Sequence, residues 1–184
     1  MPDFPQGPSH EAAGFPAKPS FERLFFNHAS GTVLVLCRDR AVGHSGRRLF
    51  HRRVGASRYL PTVDVTETGS VDTVVVASEA PTAVALVREW KKRGECWAEE
   101  KLRLVSIDLA EASPKLAEID TAAVPRGKVS DLLSISDDGR CLYCVCSVAE
   151  RPDAVTMIMH YGVYRWQLRP GLVELVANLP GIAW

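Results

Sequence analysis

LLSISDDGRCLYCV, residues 132–145, is the stretch whose reading decides the fold. It holds a short apolar run, a polar turn and a second apolar run. The same form stands at VVVASEAPTAVALV (74–87) and at LFFNHASGTVLVLC (24–37). The three segments align without a gap, run on run and turn on turn. In the third, Asp137, Asp138 and Gly139 offer side-chain turn bonding and tolerance of positive φ, which a tight hairpin needs. β-branched and aromatic residues fill the runs, as strands favour. The sequence therefore predicts one β-hairpin repeated three times.

Further strands flank each hairpin. RRLFHRRV, bracketed by glycines, and RYLPTVD (58–64) follow the first, and Pro61 places the latter at a sheet edge. KLRLVSIDL (101–109) and PKLAEID (114–120) follow the second, after the polar link KKRGECWAEE. YGVYRWQL (161–168) and PGLVELV (170–176) follow the third. The closing strands share an offset, matching Leu60 with Leu116 and Leu116 with Leu172. The expected fold class is all-β, with three four-stranded antiparallel β-meander repeats over residues 21–64, 71–120 and 129–177. These form a single domain, 21–184. Residues 1–20 hold five prolines (Pro2, Pro5, Pro8, Pro16, Pro19), which block helix and interior strand alike, so a flexible lead-in is expected.

A rival reading is α/β. TAVALVREWKKR (82–93) sets Ala83, Leu86, Val87 and Trp90 at helical spacing. Pro81 suits the first turn of such a helix and Gly94 its end. This would make a βαβ unit around residues 71–109. It explains the middle of the chain but not the register shared by the three hairpins.

SISDDGRCLYCV resembles the hairpin of WD40-like, YVTN-like and TolB-like β-propeller repeats, through Asp138, Gly139, Arg140, Leu142 and Tyr143. The match is strongest over residues 129–147. The first two turns, Ala29-Ser30-Gly31 and Glu79-Ala80-Pro81, depart from that pattern, and no Trp-Asp pair is present. The resemblance implies blades whose first strands line a channel. Three units are fewer than the about four to eight blades of a closed propeller. The implied structure is a partial propeller whose terminal units leave apolar side faces, with Phe25, Phe26, Val173 and Leu175 as contributors. Either a homodimer completes a six-bladed ring, or the chain is a fragment of a longer propeller.

Composition excludes some classes. Lys+Arg and Asp+Glu are 22 each, so there is no global field for nucleic acid or an anionic membrane. A hydrophobic fraction of 46% and a charged fraction of 24% are those of an ordinary globule. Five cysteines, an odd count, do not suit a secreted disulfide framework. MPDFPQGPSH lacks the basic start and apolar core of a signal peptide. No apolar run approaches the roughly 20 residues needed to span a bilayer. A reduced, cytoplasmic protein is the expectation.

The strongest polar signal is the stretch from Arg38 to Arg58, seven arginines against one acid, Asp39. Arg47, Arg48, Arg52 and Arg53, with His44 and His51, form a candidate anion- or partner-binding site through charge-assisted hydrogen bonds. Alternation along a strand would split that set, leaving an edge strand kept soluble by charge. Aromatic interleaving amounts to Phe50 and Tyr59, which argues against nucleic acid. Gly43-His44-Ser45-Gly46 partly matches the nucleophile elbow G-x-S-x-G, but Arg47 stands where the last glycine belongs. Cys141, Cys144 and Cys146 are crowded, yet a strand points Cys144 and Cys146 one way and Cys141 the other, so buried thiols are expected rather than a metal site. Trp90, Trp97, Trp166 and Trp184 are expected in packing roles. No catalytic set, metal site or cofactor motif stands out. His28, Ser78 and Ser136, at matching first-strand positions, offer little acid–base chemistry. The expected function is a non-catalytic module presenting loops to a protein or peptide partner. The alternative is an enzyme or ligand-binding domain that recognises an anionic ligand through residues 38–58.

Overall fold

The computed structural model describes residues 19–39, 46–63, 65, 69–94, 96–120, 128–150, 158–168 and 171–183. The proline-rich lead-in, apart from its last two residues, and His44 lie outside them, as does most of the Gly43–Gly46 run. The described residues form strands and turns, with no helix.

Sheet one is β1 (Pro19–Asn27), β2 (Thr32–Asp39), β3 (Arg47–Arg53) and β4 (Leu60–Pro61). Sheet two is β5 (Gly69–Val76), β6 (Thr82–Arg93), β7 (Cys96–Asp108) and β8 (Lys115–Ile119). Sheet three is β9 (Lys128–Ile135), β10 (Cys141–Glu150), β11 (Ile158–Gln167) and β12 (Val173–Ala183). In each sheet the strands lie side by side in chain order, every neighbouring pair antiparallel. The result is three blade-like meanders, the partial-propeller arrangement. Pro61 ends up on an edge strand, where its missing N–H costs nothing.

The α/β alternative is overturned, because Thr82–Arg93 is strand β6. Its apolar run is continuous because both faces are covered. Ala83, Ala85 and Val87 pack with Leu34, Leu36 and Leu49 of sheet one. Val84 and Leu86 pack with Leu132, Leu142 and Cys144 of sheet three. A strand buried on both faces loses the polar alternation that would mark it, and short apolar runs then fit helical spacing equally well. The link KKRGECWAEE is likewise not a loop. Lys92 pairs with Trp97 and Arg93 with Cys96, so the β6–β7 hairpin runs to a turn at Gly94, whose φ is 62°.

The gapless alignment of the hairpins errs by one residue in the third unit. Asn27 pairs with Thr32, Ala77 N donates to Thr82 O at 2.9 Å, and Ser136 N donates to Cys141 O at 2.8 Å. Each pair closes a loop of the same length, so Asn27, Ala77 and Ser136 are the equivalent residues. A slip of one residue turns every side chain to the other face. Leu142, Cys144 and Cys146 therefore correspond to Ala83, Ala85 and Val87, and face back onto the preceding sheet.

Different turn chemistry hides this shift. In the first loop Ser30 N donates to Asn27 Oδ1 at 2.8 Å, and Gly31 takes φ 64° at the last loop position. In the second, Thr82 N donates to Ala80 O at 2.7 Å across Pro81, a three-residue turn that suits the fixed φ of proline. In the third, Gly139 N donates to Ser136 O at 2.8 Å, and the φ of 71° falls one position earlier.

The sheets stack in chain order through their first strands. β5 packs on β1 and β3, while β9 packs on β5 and β6. Each buried Leu or Val between them is worth about 1.5–3 kcal/mol of transfer free energy.

Candidate functional site

The arginine-rich stretch does not converge on one face. β3 alternates, so Arg47 and Arg53 point toward sheet two and Arg48 and Arg52 lie on the opposite side. Arg47 Nη1 donates to Asp72 O at 3.1 Å, and Arg53 Nη2 donates to Leu109 O at 3.3 Å and also to Ala110 O. Arg48 Nη1 donates to Gly69 O at 3.1 Å, and the Arg52 guanidinium lies 4.6 Å over the Tyr59 ring. His51 is buried, with Nδ1 3.2 Å from Thr62 Oγ1. Burial lowers its pKa, an effect partly offset by hydrogen bonds to the Ala112 and Leu60 backbone.

What these arginines build is a polar ladder across the sheets. β1 and β5 each carry a β-bulge, at Glu22 and Asp72. Glu22 bonds Arg38 at 2.7 Å and Arg47 at 2.8 Å, and Arg47 reaches the Asp72 carbonyl. The Asp72 carboxylate bonds Arg88 at 2.5 Å, and Arg88 Nη2 donates to Ser130 O of β9 at 2.6 Å. Glu99 also holds Arg88, at 2.8 Å. The sequence carries a signal for this, since Glu22 precedes Arg38 by the same interval as Asp72 precedes Arg88. The third unit breaks the pattern, since Ser130 stands at its bulge and its Oγ donates to Ser147 Oγ at 2.7 Å, while Asp131 Oδ1 accepts from Thr73 Oγ1 at 2.7 Å.

The three hairpin turns form a second line of contacts at one end of the sheets. Asn27 Nδ2 donates to Ala77 O at 2.9 Å and to Ala80 O at 2.8 Å. Glu79 N and Ala80 N donate to Asp137 O at 3.0 and 3.1 Å, and Ser78 Oγ donates to the Asp137 carboxylate. Gly139 sits against sheet two so closely that a Cβ there would lie 3.0 Å from Thr82 Cβ.

Beside these turns lies a groove of about 610 Å³, lined by Pro81, Thr82, Ser106, Asp108, Ala110, Asp138, Gly139, Arg140 and Leu168. Its walls are fixed by backbone bonds, Leu109 N to Pro81 O at 2.7 Å and Leu168 N to Arg140 O at 2.9 Å. Arg140 is 84% exposed at the rim. Asp138 Oδ1 accepts from Ser136 Oγ at 2.6 Å and from Arg140 N at 3.0 Å, and the Ser136 bond, then the Arg140 amide, lower its pKa. The lining combines hydroxyl and guanidinium donors, carboxylate acceptors and small apolar surfaces, with no histidine or cysteine. That set suits orienting an extended polar chain. In the sequence Asp138 and Gly139 read as turn residues and, with Arg140, as part of the propeller-like hairpin, but nothing local shows that they meet Ser106 and Asp108.

The cysteines behave as strand geometry requires. Cys144 and Cys146 are buried against sheet two with their sulfurs 3.9 Å apart, and Cys141 is half-buried on the other face. Hydrogen bonding to Cys146, with burial, pushes the Cys144 thiol up. Burial, and then the nearby Glu22 charge, push Cys37 up to about 11. Among the described residues no group of three or more His, Cys, Asp or Glu is placed to hold a metal ion, and no helix is long and apolar enough to cross a membrane.

No family model, curated protein or solved structure matches the chain.

Proposed function

We propose that the chain is a non-catalytic interaction module of β-propeller type that presents its hairpin-end loops to a protein or peptide partner. The observation that carries this reading is the groove between the second and third hairpins. Its volume falls in the range of ligand sites, roughly 300–1,000 Å³. Its walls are set by backbone hydrogen bonds, so a partner meets a preformed surface and little conformational freedom is lost on binding. Thr82, Ser106, Asp108, Asp138 and Arg140 offer donors and acceptors that match a peptide backbone with polar side chains. Recognition of an anion by residues 38–58 would require Arg47 and Arg53 to release the carbonyls of sheet two that they bond. That competition supports the peptide reading over the anion reading.

A random peptide library displayed on phage tests it, selected on the parent and counter-screened on Arg140→Glu and Asp108→Asn. The expected result is a set of peptides that bind the parent and weaken about tenfold or more on at least one variant, a loss of about 1.4 kcal/mol. Recovery of no binders, or of peptides indifferent to both changes, contradicts the reading.

A further inference from the structure

The two ends of the stack carry the two halves of a junction that the molecule already makes twice. At each internal junction, the first strand of the later unit lays apolar side chains on the face of the earlier sheet. Val71 and Val74 of β5 do this against sheet one, and Val129, Leu132 and Ile135 of β9 do it against sheet two. In β1 the positions of Val71, Val74 and Val76 hold Phe21, Leu24 and Phe26. Val71 and Val74 are buried, whereas Phe21, Leu24 and Phe26 are 57%, 67% and 41% exposed. Behind β1, Val35, Cys37 and Phe50 are already closed in by Val33 and Tyr59, so the open part of this face is β1 itself.

The receiving half is on sheet three. The earlier sheet of each junction offers Leu34, Leu36 and Leu49, or Val84, Leu86 and Leu104, all buried. Their equivalents in sheet three are Tyr143, Val145 and Val163, which face away from sheet two and are only half-buried. Tyr161 stands where Arg47 stands in sheet one, and brings a hydroxyl donor to the place from which Arg47 reaches the following bulge.

We infer that two copies of this chain join head to tail, β1 of each on the outer face of sheet three of the other, closing one ring of six sheets. The inference goes beyond the groove reading and does not depend on it. Two copies fall within the about four to eight blades of closed propellers, and three copies exceed it. The area suffices. A face about 19 Å across four strands and roughly 25 Å along them covers about 500 Å². Two junctions, counting both partners, remove between about 1,000 Å² if half of each face meets and about 2,000 Å² if all does, which is what a specific interface requires.

Sedimentation equilibrium on the full chain tests the inference, using the parent, Leu24→Glu and Val145→Glu. The parent is expected at twice the 20.2 kDa chain mass. Either variant alone should lower the mass to that of one chain, because a ring closed head to tail needs both faces. Far-ultraviolet circular dichroism verifies that each variant is folded, and Leu179→Glu, on the exposed edge strand of the same face, replaces Val145→Glu should that one fail. A parent of single-chain mass, or an open series of larger species, overturns the inference. So does a dimer that survives one of the two changes, since that result indicates a like-with-like pairing.

Discussion

β1 and β5 occupy the same place in consecutive units, yet one shows its apolar side chains to solvent and the other hides them. Phe21 and Leu24 are exposed, while Val71 and Val74 are buried. β6 and β10 differ in the same sense, since β6 is buried on both faces from Ala83 to Val87 and β10 alternates. Hydrophobicity does not separate these pairs. What separates them is whether a sheet lies on each side, so burial here belongs to the stack and not to the unit. Stability should accordingly concentrate in the middle of the stack.

The largest effect should come from the centre. Leu86→Ala empties a site covered from both sides, and about 2–5 kcal/mol should be lost in urea denaturation. A loss below about 1 kcal/mol would break the comparison by showing that sheet three does not cover sheet two. Next comes the turn pair. Gly31→Val and Gly139→Val both force a β-branched residue to positive φ, but only at Gly139 would the new Cβ press on Thr82. Gly139→Val should cost at least about 1 kcal/mol and exceed Gly31→Val. Equal losses would mean that the third turn does not rest on the second.

A smaller effect depends on pH. The folded-state pKa of His51 is lowered by burial, so the unfolded chain takes up the proton first as pH falls. Stability from this group is complete above the unfolded value of about 6.5 and declines below it. Thermal midpoints measured between pH 7.5 and 5 should fall more in the parent than in His51→Gln, and parallel curves would place His51 in solvent. The smallest effect is expected at the bare end, where Leu24→Ala in the dilute chain should stay within about 0.5 kcal/mol of the parent.

The meander was legible because its signals are local. Alternation, the Asp-Gly turn and the edge proline each act within a few residues, and they placed four strands in every unit. The register of the third hairpin was not legible. Gly31 and Gly139 invite alignment, yet they occupy different loop positions, because an Asn27 cap and a Ser136–Gly139 turn close loops of equal length in different ways. The same limit misdirected the exposed-face assignment. Phe25 packs inward against the core between sheets one and two, and Val173 against the core between sheets two and three, while Phe26 and Leu175 are exposed. The arginines were visible as a cluster but not as a ladder, since Asp72 and Leu109, the partners of Arg47 and Arg53, arrive from the second unit, and the ladder continues through Arg88, far outside the cluster. The groove joins four separate stretches of chain, at Pro81–Thr82, 106–110, 138–140 and Leu168, and no window of sequence contains it.

The stacking register is tested most directly by the native cysteines, because a slip of one residue in the third unit would exchange the faces of Cys141 and of Cys144 with Cys146. The folded chain, at nanomolar concentration to keep copies apart, is treated with iodoacetamide at pH 8 and its peptides are followed by mass spectrometry. Among the four thiols whose burial is described, the half-buried Cys141 should be alkylated first, while Cys144 and Cys146 stay protected until denaturant is added. Cys37, buried and with its pKa pushed up to about 11, should be equally slow. Alkylation of Cys144 and Cys146 ahead of Cys141 would contradict the account, because those thiols would then face away from sheet two.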